Sequence, residues 1–519
     1  MVLFCGLNIV DIDAIALEDL ALQSNDVAMN MDTSVSNVIL ITVDSLRADA
    51  IGPYNNNQQT PVLDEIAATG TTFEHAFATG NWTPFSFPSL LASRPVFADT
   101  GEIGVTAVPT LAQTLTDAGI ATGGFNAANG FLTEHWGYDA GFNTFDSFVA
   151  SVGSNIYSRY LATHPTIEAW LQLAGAPFRR IQSAVTGGSH DRPFFDASRL
   201  FDVERAAQSF ITETDAPFFL WIHYMDTHTP YVPAPRYIRE VSNGLVGTHR
   251  MLLAHTQTGL GREVGERTLK DLRTLYHAAV RQVDASIGRI RETLKTANHA
   301  DETALIIAGD HGEEFQEHGH LAHYPKLYDE LIQTPLLIHL PDSLSVQQRR
   351  RVRNQVGLDD IPPTITSLFS VDSMSSWTGS SLLPTTVDND SSPTDPVVSI
   401  AVRGETVTTQ PIPRRIEDGE LLVSVRDHTW TYIEHVDTEE IELYNRSADP
   451  TQQIDLSVDP TALQQRVIDQ FAAVAAEHVV TLREAVTNTN ETVRGSNNNG
   501  DTVGENSAVE ARLSALGYK

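Results

Sequence analysis

Two kinds of hydrophobic pattern alternate along the chain. Short runs of β-branched and aliphatic residues end abruptly in polar clusters, which is typical of strands buried inside a parallel sheet. These runs predict strands at 37–43, 119–125, 217–226, 304–309 and 334–339. Segment 266–298 instead carries apolar residues at helical spacing and predicts a long amphipathic helix. The alternation predicts an α/β fold, a large mainly parallel sheet with helices on both faces.

Local signals predict two more helices in this alternation of strands and helices. Thr60 followed by Pro61 and acidic residues is typical of a helix start, and another helix is predicted at 110–118. Segments 147–215 and 232–265 interrupt the rhythm, and we interpret them as insertions that cover the substrate side of the domain.

The pattern changes again after about residue 386. Short strands at 397–402, 421–426 and 429–434, followed by a helix at 461–487, predict a smaller C-terminal α+β subdomain. We therefore divide the chain into an N-terminal appendage and linker (1–35), an α/β catalytic domain (36–385), the subdomain (386–487) and a flexible tail (488–519).

The composition is strongly acidic. Acidic residues outnumber basic ones by 66 to 34, only four of the basic residues are lysines, and the net charge is −32. A nucleic-acid partner is disfavoured because such a surface repels phosphates. Many acids with scarce lysine are typical of halophilic proteins, in which salt screens the self-repulsion. The alternative is a merely acidic protein from a mesophile.

Cysteine content and hydropathy bear on the compartment. The single cysteine, Cys5, cannot form an internal disulfide. The N-terminus lacks a basic region and acidic residues soon interrupt it, so we expect no signal peptide and no lipid anchor. No stretch approaches the roughly 18 apolar residues of a transmembrane helix. We therefore expect a cytoplasmic protein without a membrane span.

Three polar blocks carry the candidate chemistry. Asp44 ends the first apolar run, and Asp310 and His311 end a later one. Because the carboxyl ends of parallel strands meet at one edge of a sheet, these side chains are expected to lie close together. Block 81–91 adds a hydroxyl that would meet a metal bound there. Two carboxylates, an imidazole and a hydroxyl suit a hard or borderline divalent cation.

These blocks and three others, in the same order, resemble the sulfatase-like family of the alkaline phosphatase superfamily. The matching stretches lie at 41–49, 82–91, 221–231, 309–319, 327–338 and 442–450. The resemblance implies that Asp44, Asp310 and His311 bind a metal together with the nucleophile, which is Thr83.

Thr83 departs from the pattern of true sulfatases. In those enzymes the nucleophile is Cys or Ser oxidised to formylglycine, with Pro two residues later and Arg four residues later, whereas this chain has Phe85 and Phe87. Oxidation of threonine would give a ketone, so formylglycine is not expected. A threonine alkoxide beside a metal is still a good nucleophile. The alternatives are that Thr83 caps a helix at 86–93 or that Ser86 is the nucleophile.

The resemblance implies further site residues. His228 would stabilise charge on the transferred group or protonate the leaving oxygen, and His323 matches a substrate-contacting histidine of the family. Lys326 lies beside these histidines in the sequence and is expected to bind the anionic part of the substrate. Arg47 either contacts the substrate or pairs with Asp49.

The metal remains open among several candidates. We expect one divalent ion, Ca, Mg, Mn or Zn, with Ca or Mg favoured. Many sulfatases carry a second acidic residue directly after the first, but this chain has Ser45, so its ligand set differs. A second metal bound by Asp226, His228 and His323 is the alternative.

The sequence therefore predicts a sulfatase-like, metal-dependent hydrolase of sulfate or phosphate esters with a covalent intermediate on Thr83. The substrate would be a small-molecule, glycan or lipid ester. Because Thr83 stands at the formylglycine position, a phosphodiesterase or a phosphoglycerol-type phosphotransferase is the alternative. A non-catalytic binding protein is disfavoured because the metal ligands are intact.

Overall fold

The computed structural model describes residues 35–149, 198–244 (except 216), 264–341, 350–387, 395–404 and 413–495, with isolated positions between 246 and 257 and between 343 and 348. Side chains in the last stretch are described up to residue 486. Within these ranges, no helix combines the length and the apolar composition needed to cross a membrane.

An eight-stranded sheet forms the centre of the fold. Up to residue 357 the strands are β1 (Asn37–Val43), β2 (Thr71–Phe77), β3 (Ala121–Asn126), β4 (Thr144–Asp146), β5 (Phe218–Tyr224), β6 (Thr303–Gly309), β7 (Glu314–Phe315), β8 (Leu321–Ala322), β9 (Gln333–His339) and β10 (Arg351–Gly357). β7 and β8 form a separate short hairpin, and the other strands lie in the order β10-β2-β9-β6-β1-β5-β3-β4. β9 runs antiparallel to β2 and β6, and the remaining pairs are parallel.

Helices cover both faces of this sheet. They are α1 (Pro61–Thr69), α2 (Thr83–Ala92), α3 (Leu111–Asp117), α4 (Leu200–Glu213), α5 (Pro235–Val241), α6 (Glu266–Thr296), α7 (Asp329–Ile332), α8 (Ile361–Leu368) and α9 (Leu383–Val387). Val38 and Leu40 of β1 pack in one apolar layer with α2, α3 and α8, whereas Ile39 and Ile41 pack in the other with α1, α4 and α6. Burial on both faces explains why β1 is apolar at almost every position.

A second sheet follows. Its strands β11 (Val397–Arg403), β12 (Glu420–Arg426), β13 (Trp430–His435) and β14 (Glu440–Asn445) pair antiparallel in chain order, and the long helix α10 (Ala462–Gly495) comes after them. The main-chain N–H of Ile400 donates to the carbonyl oxygen of Thr79 at 2.9 Å, and Ile400 shares an apolar cluster with Leu40. The small sheet therefore packs directly on the large one.

The predicted fold class is confirmed: a large, mainly parallel sheet has helices on both faces and a smaller C-terminal unit of sheet and helix. The predicted strands lie within two residues of the observed ones. Thr60 precedes α1, but its hydroxyl accepts the N–H of Gly52 at 2.8 Å and does not cap the helix.

Some other sequence predictions need correction, and some concern residues outside the described part of the chain. α10 continues to Gly495, so the first part of the segment predicted as a flexible tail is helical. β2, β4, β10 and β14 were not predicted. The segment 147–215, predicted as an insertion, ends in α4, whose Phe210 packs against β3 and β5. Almost all of the predicted appendage (1–35) and most of 147–215 lie outside the described residues.

Candidate metal and catalytic site

Neighbouring strands bring two carboxylates to the same edge of the central sheet. β1 and β6 are parallel, and Val43 is level with Gly309, so Asp44 and Asp310 follow adjacent strand ends. The main-chain N–H of Ser45 donates to Oδ1 of Asp310 at 3.0 Å and ties the two ends together. Both carboxylates are fully buried.

Thr83 presents its hydroxyl to this carboxylate pair. Its Oγ1 lies 3.0 Å from Oδ2 of Asp310, 3.2 Å from Oδ2 of Asp44 and 3.4 Å from Nε2 of His311. The four side chains that the sequence predicts as metal ligands therefore meet at one point.

The alternatives for this hydroxyl are not supported. Thr83 is the first residue of α2, which begins three residues earlier than predicted, and the N-cap is Trp82. Thr83 thus does not cap the helix, because its hydroxyl faces the carboxylates. Ser86 donates to the carbonyl oxygen of Gly80 at 2.9 Å and takes no part in the carboxylate group.

His311 is held with one nitrogen facing the site. Its Nδ1 lies 2.9 Å from the carbonyl oxygen of Gly312, and a carbonyl only accepts, so Nδ1 carries the proton. Nε2 therefore directs a lone pair towards Thr83, and it lies 3.7 Å from a carboxylate oxygen of both Asp44 and Asp310.

His223 is a member of the site that the sequence did not predict. It lies on β5, next to β1, and its Nε2 is 3.7 Å from Oδ2 of Asp44. This nitrogen is buried and makes no hydrogen bond to any described residue, whereas Nδ1 lies 2.9 Å from the hydroxyl of Thr42. Ligand atoms of Asp44, His223 and Asp310 all lie within 4.8 Å of one another, which is close enough to hold one metal ion. The only signal in the sequence is a histidine inside an apolar strand.

The charges in this group of buried side chains favour the binding of a cation. Burial opposes ionisation of Asp44, but the imidazoles of His228, His223 and His311 hold its pKa well below its usual range. Burial and the charge of Asp44 raise the pKa of Asp310 well above its usual range. Burial also lowers the pKa of His311, which favours the neutral ring. Two adjacent buried carboxylates beside the neutral ring of His311 are an environment in which a divalent cation replaces protons.

His228 and His323 form a pair beside this group. Nδ1 of His228 lies 2.6 Å from the carbonyl oxygen of Thr229 and carries the proton, so Nε2 accepts. Nε2 of His323 lies 3.1 Å from it and must donate. Burial lowers the pKa of His323 well below its usual range, with His311 and His228 adding to the effect, and its ring lies 5.1 Å from that of His311.

Lys326 is engaged elsewhere. Its Nζ pairs with Oε2 of Glu314 at 3.3 Å and donates to the carbonyl oxygen of His318. Among the described residues it makes no hydrogen bond or ion pair to Thr83, so its substrate-binding role stays a prediction.

Arg47 is also occupied by acids. It pairs with Asp49 at 2.8 Å and with Glu317 at 2.9 Å, and it lies 5.9 Å from the ring of Phe315. The contact with Asp49 is the alternative that the sequence left open, and a contact of Arg47 with substrate stays a prediction.

The residues proposed for a second metal do not come together in the described part of the chain. Oδ1 of Asp226 accepts from Nε2 of Gln282 at 2.5 Å. Asp226 forms no group of close ligand atoms with His228 and His323 there.

A second unpredicted contact involves Asn129, in the loop after β3. Its Nδ2 donates to Oδ2 of Asp44 at 3.0 Å. No motif marked this residue, because a single asparagine in an Asn/Gly-containing loop has the usual composition of a turn.

Comparison with known proteins identifies relatives of this arrangement. Residues 36–371 match the sulfatase family, a span that contains every site residue described above. Arylsulfatase K of Bos taurus is 31% identical over 119 residues, which cover 23% of this chain and 21% of the relative. The multifunctional alkaline phosphatase superfamily protein PehA of Trinickia caryophylli is 25% identical over 232 residues, 38% of this chain and 43% of that protein. The aligned regions thus span from a fifth to less than half of these relatives.

Solved structures share the fold over most of the chain. The phosphonate monoester hydrolase of Agrobacterium radiobacter has a TM-score of 0.61 at 19% identity and covers 86% of this chain and 95% of its own. A 2-O GAG sulfatase also has a TM-score of 0.61, at 16% identity, and covers 90% of this chain and 95% of its own.

Proposed function

The chain belongs to the sulfatase family, and on that premise we propose that it is a metal-dependent hydrolase that cleaves a sulfate or phosphate ester through a covalent ester on Thr83. One observation carries the proposal: the Thr83 hydroxyl lies within 3.4 Å of Asp44, Asp310 and His311 together. A hydroxyl buried against two carboxylates and a neutral imidazole is arranged to lose its proton and to act as a nucleophile.

The donor set fits one divalent cation held by Asp44, Asp310 and His223, with His311 and Thr83 beside it. The buried Nε2 of His223, which makes no hydrogen bond to a described residue, supports this fit. An imidazole ligand favours Zn²⁺, and the two carboxylates also suit Mn²⁺, so these ions are favoured here over the Ca²⁺ or Mg²⁺ that the sequence favoured. When bound, such a cation lowers the pKa of a neighbouring hydroxyl and stabilises charge on the ester oxygens.

Each site residue has a separate role in the proposed reaction. The Thr83 proton passes to Oδ2 of Asp310, 3.0 Å away. A bond forms from Oγ1 to the phosphorus or sulfur, while the bond to the leaving oxygen breaks. Nε2–H of His323 hydrogen-bonds to the leaving oxygen, which takes its proton from solvent, and His228, whose Nε2 lies 3.1 Å from that nitrogen, holds the ring in place. Water then attacks the threonyl ester and its proton passes to solvent, while Asp310 returns its proton to Oγ1 as the bond from Oγ1 to phosphorus or sulfur breaks.

Charge disfavours a phosphate monoester, and a threonine at the position of formylglycine favours a phosphodiester or phosphonate monoester over a sulfate ester. The described groups that hydrogen-bond to Thr83 are two carboxylates and one imidazole, while Lys326 and Arg47 are paired with acids. A doubly charged phosphate monoester would be repelled more strongly than a singly charged ester. The fold is shared with a phosphonate monoester hydrolase. Sulfate ester hydrolysis is the second candidate, because the family match is to sulfatases.

Matched nitrophenyl esters test the proposal: the sulfate, the phosphate, the phenylphosphonate and the bis-nitrophenyl phosphate, each in molar salt with Mn²⁺ or Zn²⁺. We expect the two singly charged phosphorus esters to turn over fastest. Thr83→Ala should reduce kcat by about 10³-fold or more, and Thr83→Ser should retain part of it. Ser86→Ala is the matched control and should keep kcat.

Two outcomes would contradict the proposal. Turnover by Thr83→Ala at the wild-type rate would exclude Thr83 as nucleophile. Fastest turnover of the sulfate ester, lost in Thr83→Ala, would keep the mechanism and replace the favoured substrate by the second candidate.

A further inference from the structure

We propose that Asn129 is a positioning residue that holds the carboxylate of Asp44 in the orientation in which it binds the metal. The inference rests on the metal role proposed above for Asp44. Nδ2 of Asn129 donates to Oδ2 of Asp44 at 3.0 Å, and both side chains are buried.

The loop after β3 holds the main chain at position 129 through a different side chain. Nδ2 of Asn126 donates to the carbonyl oxygens of Asn129 and Leu132 at 3.0 and 2.7 Å, and its Oδ1 accepts the N–H of Asn129 at 3.0 Å. Ala128 between them has φ of 57°, in the left-handed region. Because Asn126 fixes the backbone, the amide group of Asn129 can donate to a residue outside the loop.

The direction of the Asn129 amide follows from its partners. Its Oδ1 accepts the main-chain N–H of Phe131 at 2.9 Å, which forms an Asx turn. A backbone N–H only donates, so the oxygen must face Phe131 and the NH₂ group must face Asp44. The amide is neutral and keeps its protons at any pH at which the protein is folded.

Asp44 has other donors, but they change during the proposed reaction. The hydroxyl of Thr83 lies 3.2 Å from Oδ2 and has one proton, which it donates either to Asp44 or to Asp310. Nε2 of His223 lies 3.7 Å from Oδ2, too far for a hydrogen bond. Thr83 loses its proton when it becomes the nucleophile, and His223 is a proposed metal ligand. Asn129 is the donor to Oδ2 that stays in place in every step.

A fixed donor on one carboxylate oxygen sets the rotation of the whole group. Oδ1 of Asp44 receives the hydroxyl of Ser45 at 3.0 Å, so donors reach both oxygens. Hydrogen-bond partners of metal ligands typically change metal affinity by about 10- to 100-fold. Loss of the amide should therefore weaken metal binding by a similar factor.

Asn129→Ser is the variant that isolates this contact. A serine hydroxyl accepts the N–H two residues ahead and keeps the turn to Phe131, but its shorter side chain does not reach Asp44. The metal-free full chain is titrated with Mn²⁺ and, separately, with Zn²⁺ by calorimetry. We expect the Kd to rise about 10- to 100-fold, with Tm of the metal-free protein near that of wild type.

Gln355→Ala is the matched control. It removes a buried amide that donates to the carbonyl oxygens of Asp395 and Arg426 at 2.7 and 3.3 Å, on β10 beside the small sheet. It should lower Tm and leave the Kd unchanged, which separates loss of stability from loss of metal affinity.

Asp310→Ala in the same titration separates this inference from the proposed function. No binding by wild type, or full binding by Asp310→Ala, would overturn the proposed metal site and the inference with it. Weak binding by Asp310→Ala with wild-type affinity in Asn129→Ser would overturn the inference alone. If neither Asn129→Ser nor Asn129→Ala folds, the side chain is structural, and the inference is likewise overturned.

Discussion

At the scale of single residues, His223 provides a direct test of the metal site. Its Nε2 is buried, makes no hydrogen bond to a described residue and lies 3.7 Å from Oδ2 of Asp44. His223→Ala should weaken binding of Mn²⁺ or Zn²⁺ by roughly tenfold or more, because it removes an imidazole ligand. Calorimetric titration of the metal-free protein measures this loss. His75→Ala, on β2 of the same sheet, is the control and should bind as wild type does; equal affinities in both variants would remove His223 from the ligand set.

The same scale shows what a sequence reveals about a site. The convergence of Asp44, Asp310 and His311 could be predicted because polar residues that follow parallel strands meet at one edge. His223 could not, because it lies within an apolar strand where a histidine usually has a structural role. Asn129 could not, because its position depends on Asn126 and on a left-handed residue in the same loop.

At the scale of elements, the small sheet contains a pH-dependent contact. His435 of β13 has Nδ1 3.0 Å from Glu420 on β12 and Nε2 3.7 Å from Glu442 on β14. The carboxylate of Glu442 raises the pKa of His435; burial opposes this, and the hydrogen-bonded carboxylate of Glu420 adds to the rise. The charged ring is therefore favoured in the folded protein.

The sign of the resulting pH dependence follows from linkage. The stability from His435 is fully present below about pH 6.5, the pKa of an unfolded histidine, and is lost as the pH rises through the higher folded pKa. His435→Gln should therefore flatten the decrease in the free energy of unfolding above about pH 6.5, measured with urea at constant ionic strength. Burial lowers the pKa of His75, so His75→Gln should leave that decrease intact. A wild-type slope in His435→Gln would contradict the prediction.

Two of the strands that the sequence missed, β2 and β10, have a common physical cause. β2 reads Thr71-Thr-Phe-Glu-His-Ala-Phe77, with two adjacent polar residues in its middle. Its pairing with β9 shifts between Phe73 and Ala76, where a bulge breaks the alternation of faces. β10 is the edge strand, and its pairing with β2 shifts between Val352 and Gln355. Periodicity fails at a bulge, whereas β1 and β6, which are regular and buried on both faces, were predicted within two residues.

At the scale of the whole molecule, fold class and charge can be predicted well from the sequence. Both depend on sums over many residues, so a local error has little effect on them. That segment 232–265 covers the site stays a prediction; its described part is residues 232–244, which include α5, and isolated positions after them. α5 is joined to α6 by the ion pair of Arg281 with Glu240 at 3.0 Å. A pair of this kind, between segments far apart in the chain, has no signature in the pattern of apolar residues.

The net charge of −32 leads to the last prediction. Repulsion among surface acids destabilises the compact state, and salt screens it within a Debye length of about 10 Å at 0.1 M and 3 Å at 1 M. Tm should therefore rise by about 5 °C or more between 0.1 and 2 M KCl, followed by calorimetry or circular dichroism. A variant in which five exposed acids are replaced by their amides, Glu213, Asp301, Glu302, Asp459 and Glu484, should show a smaller rise because less repulsion is left to screen. Sorbitol is the control for effects of a cosolute without charge and should affect both proteins equally. Equal increases of Tm with KCl in the two proteins would show that the salt stabilises the fold by strengthening the burial of apolar surface and not by screening the acidic surface.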